Sequence, residues 1–290
     1  MADAGRPDLT ELVVHAPRLD ELVDHPHSGL APAEAIARLP GRYFASYDTP
    51  TIARHVELLC SLSLEEPYAL DARRLEDERL ELTIVTVDDP GMLSLLTGIL
   101  GAAGFDIASG DVFTMERPDQ PAGHARGRRR RSSPVRPSLP TRRIVDRFVG
   151  SLGAGVRADA FFASVAGELD AIIPLILPGG DRDEARRRVN EAVADRLRSN
   201  EAAASHALYP LEIQFETSRE GATRMSITGE DTPFFLYSLA TALSLQQISI
   251  ESVSIETHRQ TISDLFELAD RSGMPITDRH SLDRIKFSVL

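Results

Sequence analysis

The stretch Asp88-Asp89-Pro90-Gly91-Met92-Leu93 decides the fold, because it returns later in the chain as Asp231-Thr232-Pro233-Phe234-Phe235-Leu236. A constant offset of 143 positions relates the two stretches, and the match continues without a gap for about 27 positions. Beyond the turn, the offset pairs Leu96 with Leu239, Leu100 with Leu243, Ile107 with Ile250, Ser109 with Ser252 and Thr114 with Thr257. The chain therefore contains an internal repeat.

Each copy of the repeat begins with the pattern of a strand, a turn and a helix. Residues 80–87 alternate and are rich in β-branched side chains, which predicts a strand, and residues 225–228 open the second copy similarly. The Asp-x-Pro turn then places proline where its fixed φ suits the start of a helix. Apolar residues follow at helical spacing, and Gly104 is expected to end the first helix.

Two further strands follow the helix in each copy. The second strand alternates from Phe105 and from Ile248, and the third covers 144–148 and 262–266. At the third strand the offset falls from 143 to 118, so the first copy carries an insert of about 25 residues. This insert, at 118–141, is rich in proline and arginine and poor in apolar side chains, which predicts a disordered loop.

The ends of the two copies differ. The first copy continues with extra helices over 158–200 and a strand at 208–216, whereas the second closes with a helix at 279–287 and is short of a last strand. The order βαββαβ is ferredoxin-like. The sequence therefore predicts an α+β protein with two ferredoxin-like domains in tandem.

The repeat also divides the chain. We expect the first domain at 80–217 and the second at 218–290. Residues 1–39 are acidic and weakly patterned, which predicts a tail, and 40–79 predicts a short helical linker element in which Pro50 lies at a helix start.

A βαββαβ unit with Asp-x-Pro-Gly at its first turn resembles the ACT domain, a small regulatory fold that senses amino acids. Several phrases resemble the paired ACT domains at the C-terminus of the bifunctional PII-protein uridylyltransferase/uridylyl-removing enzymes. They are Gly229-Glu230-Asp231-Thr232-Pro233, Leu236-Tyr237-Ser238-Leu239-Ala240, Asp264-Leu265-Phe266 and Asp270 through Asp278. The segment from Arg42-Tyr43-Phe44 through Thr49 to His55 resembles the stretch just before the paired ACT domains of those enzymes. The resemblance covers residues 40–115, 142–149 and 208–290.

The catalytic parts of that family are not recognised in this sequence. The family has a nucleotidyltransferase domain with paired metal-binding aspartates and a hydrolase domain with His-Asp ligands, and the residues before the resemblance are too few for either. His25 and His27, beside Asp24, could hold a metal, but a solvated acidic tail is the favoured interpretation. We therefore expect no enzymatic activity, no catalytic residues, no metal and no cofactor.

Composition narrows the remaining classes of function. A net charge of −12 is not typical of a nucleic-acid binder. Lys286 is the single lysine, which argues against a Walker-type phosphate loop, and Cys60 is the single cysteine, which rules out an intrachain disulfide. No apolar stretch is long enough to span a bilayer and the N-terminus does not resemble a secretory signal, so we expect a cytoplasmic protein.

The first turn is the better candidate for a ligand site. A helix N-terminus offers unpaired N–H groups to a carboxylate, Gly91 permits close approach, and Asp88 or Asp89 could accept an ammonium group. In ACT domains the strand after the helix lines the other side. The predicted amino-acid site is therefore Asp88, Asp89, Pro90, Gly91, Met92, Phe105, Asp106 and Ile107. The alternative is that Asp88 caps the helix and Pro-Gly only turns the chain.

A second site is possible at the other turn, with Asp231, Thr232, Pro233, Phe234 and Ile250. Phe234 stands where the first copy has glycine, so it is expected to crowd the approach and to resist a positive φ. Asp231 then becomes an N-cap.

Other charged residues have structural explanations. The arginine run at 126–131 could bind nucleic acid or an acidic partner, but it has no interleaved aromatic residues and fits a solvated loop. Asp146 and Asp264 occupy matched positions in the third strands, without an evident acid–base partner.

Three functions are compatible with these observations. The first is a non-catalytic regulator in nitrogen control that binds a small amino acid, with glutamine implied by the resemblance, and acts on a protein partner. The second is a regulatory part or separate relative of a uridylyl- or adenylyltransferase system. The third is a structural module without a ligand, whose sheet edge forms a homo-oligomer.

Overall fold

The computed structural model describes residues 6–24, 29–116, 139–140, 142–199, 211–217, 221–258 and 260–289. The predicted insert lies outside these residues except at Leu139 and Pro140, as do the arginine run and both histidines of the candidate tail site. The chain divides into two compact units: the first comprises Met1–Ala69, Val85–Val87 and Met115–Arg143, and the second comprises Leu70–Ile84, Asp88–Thr114 and Ile144–Leu290.

The first unit is helical from near its start. Its helices are α1 (Leu9–His15), α2 (Arg18–Asp24), α3 (Pro32–Arg38), α4 (Gly41–Ser46) and α5 (Thr49–Ser61). The described part of 1–39, which was expected to be a tail, contains α1, α2 and α3, and Leu12 and Leu19 in these helices are fully buried. The helices were missed because each is only about two turns long, too short for a sustained apolar period.

Within the 40–79 element, the structure has α4 and α5, and β1 follows them. The Asp48 side chain accepts a hydrogen bond from the Thr51 N–H at 3.0 Å, and Pro50 lies in the first turn of α5. The buried face of α5 includes Cys60, whose thiol pKa burial raises to about 12. A buried thiol of this kind is an inert part of the core.

The remaining structure is one eight-stranded sheet with helices packed on it. The strands are β1 (Tyr68–Arg74), β2 (Leu80–Val87), β3 (Phe105–Thr114), β4 (Arg143–Leu152), β5 (Glu212–Thr217), β6 (Thr223–Glu230), β7 (Ser249–His258) and β8 (Thr261–Ala269), in the order β1-β2-β4-β3-β7-β8-β6-β5. The helices are α6 (Met92–Ala102), α7 (Ala158–Ile176), α8 (Arg182–Ser199), α9 (Phe235–Leu245) and α10 (Arg279–Val289). The predicted α+β class is confirmed. Within the described residues, the structure contains no helix with the length and apolar character needed to cross a membrane.

The repeat predicted from the turn sequence is present in the structure. The elements β2-α6-β3-β4 and β6-α9-β7-β8 follow the same order, and the third strand of each lies between the first two in the sheet. Both Asp-x-Pro turns connect the first strand of a copy to its helix. This is the split β-α-β arrangement of a ferredoxin-like unit.

The position of the fourth strand corrects the sequence prediction. The described part of the segment expected at 208–216 lies in β5, which pairs antiparallel with β6, with Phe215 opposite Met225. It therefore belongs to the second copy, which is not short of a strand. The first copy has β1 in the equivalent place, ahead of β2. Each copy is ββαββα in chain order, because the edge strand precedes the unit instead of closing it.

Helices α6 and α9 pack antiparallel, and their contacts are related by an approximate twofold. The Ser94 and Thr241 hydroxyls are 2.6 Å apart. At the equivalent place on the other side of the twofold, the Tyr237 ring lies against Gly98. The repeat thus buries the matched helices of its two copies against each other.

Candidate functional site

A cavity of about 370 Å³ lies in the second unit, beside the Asp-x-Pro turn of the second copy. Its walls come from that turn and the start of α9, from the start of β3 in the first copy, and from the last turn of α8. The lining residues are Thr97, Gly101, Gly104, Phe105, Asp106, Ile107, Gly153, Arg196, Leu197, Asp231, Thr232, Pro233, Phe234, Phe235, Leu236 and Tyr237. A cavity of this size is large enough for a small metabolite.

Two carboxyl groups, one from each copy of the repeat, line this cavity. Asp231 comes from the second turn and Asp106 from β3. Burial raises the pKa of Asp231, and the neighbouring Asp106 raises it further. Asp231 is not the predicted N-cap, because Phe234 occupies the cap position of α9. The two acids together favour a bound cationic group.

A third carboxyl group, Asp264 on β8, interacts electrostatically with Asp231. Asp264 is 2% exposed and accepts a hydrogen bond from the Glu256 N–H at 3.2 Å. Burial raises its pKa to about 7, although the Glu256 N–H favours the ionised form, and Asp231 and Glu256 add to the rise. The pKa of this carboxyl group therefore lies near neutral pH.

Arg196 of α8 supplies positive charge to the same cavity. A Cβ placed on Gly104 would lie 3.0 Å from an Nη atom of Arg196, and one on Gly153 would lie 3.4 Å from it. The guanidinium group thus lies directly on two glycines. The cavity presents opposite charges from different elements.

Aromatic side chains form the apolar part of the wall. The Phe234 and Tyr237 rings meet edge to face with centroids 6.3 Å apart. A Cβ on Gly101 of α6 would lie 2.6 Å from the Phe234 ring, so glycine is needed there to admit the ring. The Tyr237 hydroxyl donates a hydrogen bond to the Asn190 side chain of α8.

The backbone of Phe234 departs from the expectation based on its side chain. Phe234 adopts the left-handed conformation, with φ 61°, as does its counterpart Gly91 with φ 94°. The geometry of the turn is therefore kept in both copies, at a cost of about 1–2 kcal/mol for the phenylalanine. The Phe234 ring does not close the cavity, because Gly101 gives it room to lie along α6.

The turn of the first copy is occupied by protein contacts. Asp89 forms an ion pair with Arg182 of α8 at 2.8 Å. A Cβ on Gly91 would lie 2.6 Å from the Ser244 hydroxyl, so the glycine accommodates α9. Helix α6 begins at Met92, and no side chain caps it, so Asp88 is not a cap either.

The grouping of the predicted site residues therefore changes. The residues Phe105, Asp106 and Ile107 line the cavity with Asp231 to Phe234 of the other copy, whereas none of 88–92 lines it. Ile250 does not line it either, and its carbonyl accepts a hydrogen bond from the Thr114 hydroxyl. The sequence analysis predicts each site from the turn and the strand of the same copy. The cavity instead combines the strand of one copy with the turn of the other.

Sequence reasoning missed the residues of the cavity that lie outside the turn and the start of β3, among them Arg196, Tyr237 and Gly101. Arg196 is one arginine among many on an exposed amphipathic helix, and no local pattern distinguishes it. Tyr237 has the spacing of a core residue. Gly101 could have been noticed, because a glycine inside a helix lowers the stability of that helix and indicates that another group packs closely against it. Within the described residues, no group of three or more potential ligand side chains could hold a metal ion.

Comparison with known proteins finds several relatives that share one name. The chain is 24% identical over 269 residues to the bifunctional uridylyltransferase/uridylyl-removing enzyme of Gluconobacter oxydans (strain 621H), covering 91% of this chain and 25% of the enzyme. It is 26% identical over 261 residues to the enzyme of the same name from Azospirillum brasilense, covering 86% and 24%. The enzyme of that name from Rhodopseudomonas palustris (strain ATCC BAA-98 / CGA009) is 27% identical over 200 residues.

These relatives confirm the resemblance predicted from the sequence. No family model matches the chain, and no solved structure matches it significantly. The chain spans about a quarter of the length of the first two relatives.

Proposed function

We propose that this chain is a non-catalytic regulatory protein that binds a small amino acid and acts in the control of nitrogen metabolism. Glutamine is the first candidate ligand, as the resemblance to paired ACT domains implies. The cavity between the Asp231 turn and the start of β3 is the site, and its paired opposite charges are the observation that carries the proposal.

The charges of the cavity are suited to a zwitterion. An α-amino acid carries an ammonium group that Asp231 and Asp106 would accept, and a carboxylate that requires a cation or N–H donors. The aromatic wall of Phe234 and Tyr237 offers an apolar surface to the side chain of the ligand. Neither a nucleotide nor a divalent metal is needed to explain this combination.

The similarity to known enzymes supports a regulatory role. The match extends over about nine-tenths of this chain but only a quarter of the Gluconobacter enzyme. A part of an enzyme that carries a ligand cavity and no recognised catalytic motif is suited to regulation. The partner would be a protein of the nitrogen-control system or a second copy of this chain.

A second candidate function rests on the same coverage. The chain could be the regulatory part of a uridylyltransferase, or of a related adenylyltransferase system, that is complete only with its catalytic domains. In that case the cavity would act on the activity of those domains. A purely structural module is the third candidate, because β1 and β5 leave two sheet edges for self-association.

Isothermal titration calorimetry tests the proposal. The chain would be titrated with each of the twenty amino acids, beginning with glutamine. The expected result is saturable binding of one or a few of them, abolished by Asp231→Asn combined with Asp106→Asn. Heats indistinguishable from dilution for all twenty would refute amino-acid sensing and favour the structural module.

A further inference from the structure

We infer that Arg196 is the residue that binds the ligand's carboxylate and thereby restricts the cavity to zwitterionic ligands. This inference rests on the proposed amino-acid site and adds a specificity-determining residue to it. The residue comes from α8, which lies outside the repeated part of the chain.

The side chain of Arg196 is placed for such a role. It is partly buried, and its guanidinium group lies on Gly104, where any side chain would collide with it. Gly104 and Gly153 are held together by a hydrogen bond from the Gly153 N–H to the Gly104 carbonyl at 2.8 Å. The two glycines therefore form a flat support for the guanidinium at the wall of the cavity.

Among the described residues, Arg196 also differs from its neighbours in having no anionic partner. Arg182, Arg187, Arg188 and Arg198 of the same helix each pair with an aspartate or a glutamate. Among the residues that the structure describes, the Arg196 guanidinium has neither an ion pair nor a hydrogen bond. An arginine with free donors beside a cavity is a ready partner for a carboxylate, which it binds bidentately.

The charge balance of the cavity points in the same direction. Asp231 and Asp106 repel each other, and this repulsion contributes to the raised pKa of Asp231. An amine alone would leave Arg196 unpaired, and a carboxylic acid alone would add negative charge next to the two aspartates. A ligand with both groups compensates all three side chains.

Helix α8 explains why the two turns differ. Its first residue, Arg182, pairs with Asp89 at the first turn, and Arg186 lies 3.5 Å from the Pro90 carbonyl. Its last turn carries Arg196 to the second turn. The same helix thus occupies one turn with an ion pair and provides the other with a cationic ligand group.

The test compares Arg196→Gln with Arg198→Gln, a matched control on the same helix whose arginine pairs with Asp195 and does not line the cavity. The probes are L-glutamine and L-glutamine α-amide, which lacks the carboxylate charge. If another amino acid binds more tightly to the wild-type chain, that amino acid and its α-amide replace them. Circular dichroism melting verifies that each variant is folded.

The wild-type chain and Arg198→Gln should bind glutamine alike and discriminate against the α-amide. Arg196→Gln should bind glutamine about ten- to a hundredfold more weakly and lose that discrimination, because a charge-assisted hydrogen bond is missing. Arg196→Lys should recover part of the affinity. Unchanged affinity and discrimination in Arg196→Gln would overturn this inference while leaving the amino-acid site intact. Absence of wild-type binding to all twenty amino acids would overturn both.

Discussion

The buried carboxyl group of Asp264 should make the stability of this protein fall as the pH rises from about 4 to about 7. Its pKa in the folded state is about 7, compared with an ordinary value of 3.8. The folded protein therefore holds a proton that the unfolded chain releases above about pH 4. Because the folded pKa is raised, the stabilisation belongs to the protonated form and is lost as the pH rises.

The magnitude follows from linkage. Between pH 5 and pH 7 the unfolded carboxyl group is ionised while the folded one keeps its proton, so each pH unit removes about 1.4 kcal/mol of stability, about 3 kcal/mol in all. The loss levels off above pH 7, where the folded group is ionised as well. Asp264→Asn keeps an oxygen that can accept the Glu256 N–H but has no charge to bury. The variant should therefore lose about 3 kcal/mol less than the wild type over this range.

Urea unfolding at pH 5 and pH 8 measures the difference. Asp283→Asn on the exposed face of α10 serves as the control, because its carboxylate is mostly solvated. The free energy of unfolding should depend on pH in the control as in the wild type. An equal pH dependence in Asp264→Asn would show that the Asp264 carboxyl group keeps its ordinary pKa in the folded protein and would refute the reasoning.

Three further predictions concern the first turn and a second buried aspartate, Asp146. Gly91→Ala should destabilise the protein by about 2–3 kcal/mol, because the new methyl group combines a positive φ with a 2.6 Å approach to the Ser244 hydroxyl. Gly167→Ala is the control, since its methyl group would meet open space and should be neutral or stabilising. Equal melting temperatures of the two variants would contradict this. Asp146→Asn should raise the free energy of unfolding at pH 8, because the fully buried carboxyl group has no hydrogen-bond partner in the described structure. Its pKa is raised, mainly by burial and also by the charge of Asp88, so ionisation at pH 8 is unfavourable. A loss of stability in urea unfolding would refute this prediction. Asp89→Asn should leave the affinity for glutamine unchanged in calorimetry and should cost at most about 1 kcal/mol of stability. A tenfold loss of affinity would show that the ligand binds at the first turn instead.

The sequence was sufficient to predict the repeat, because turn chemistry and helical spacing are local signals. Asp88-x-Pro90 and Asp231-x-Pro233 lie between strand and helix as expected. The edge strands were assigned less well. The segment that forms β5 follows the first copy in sequence but pairs with β6, and strand pairing is a tertiary choice that periodicity does not encode.

The candidate site was also predictable only in its local parts. The turn residues and the start of β3 were both identified, yet they were combined within one copy. The antiparallel packing of α6 on α9 brings the turn of one copy to the strand of the other, and this arrangement depends on contacts such as Ser94 with Thr241. Arg196 could not be predicted from the sequence, because its position at the cavity depends on the packing of the last turn of α8 against Gly104.

A crystal structure of the chain grown with glutamine, or with the amino acid that binds best in calorimetry, tests the central claim most directly. The account predicts the ligand between the Asp231 turn and the start of β3, with its ammonium group near Asp231 and Asp106 and its carboxylate near Arg196. Ligand density at the Asp89 turn, or elsewhere with this cavity unoccupied, would contradict it.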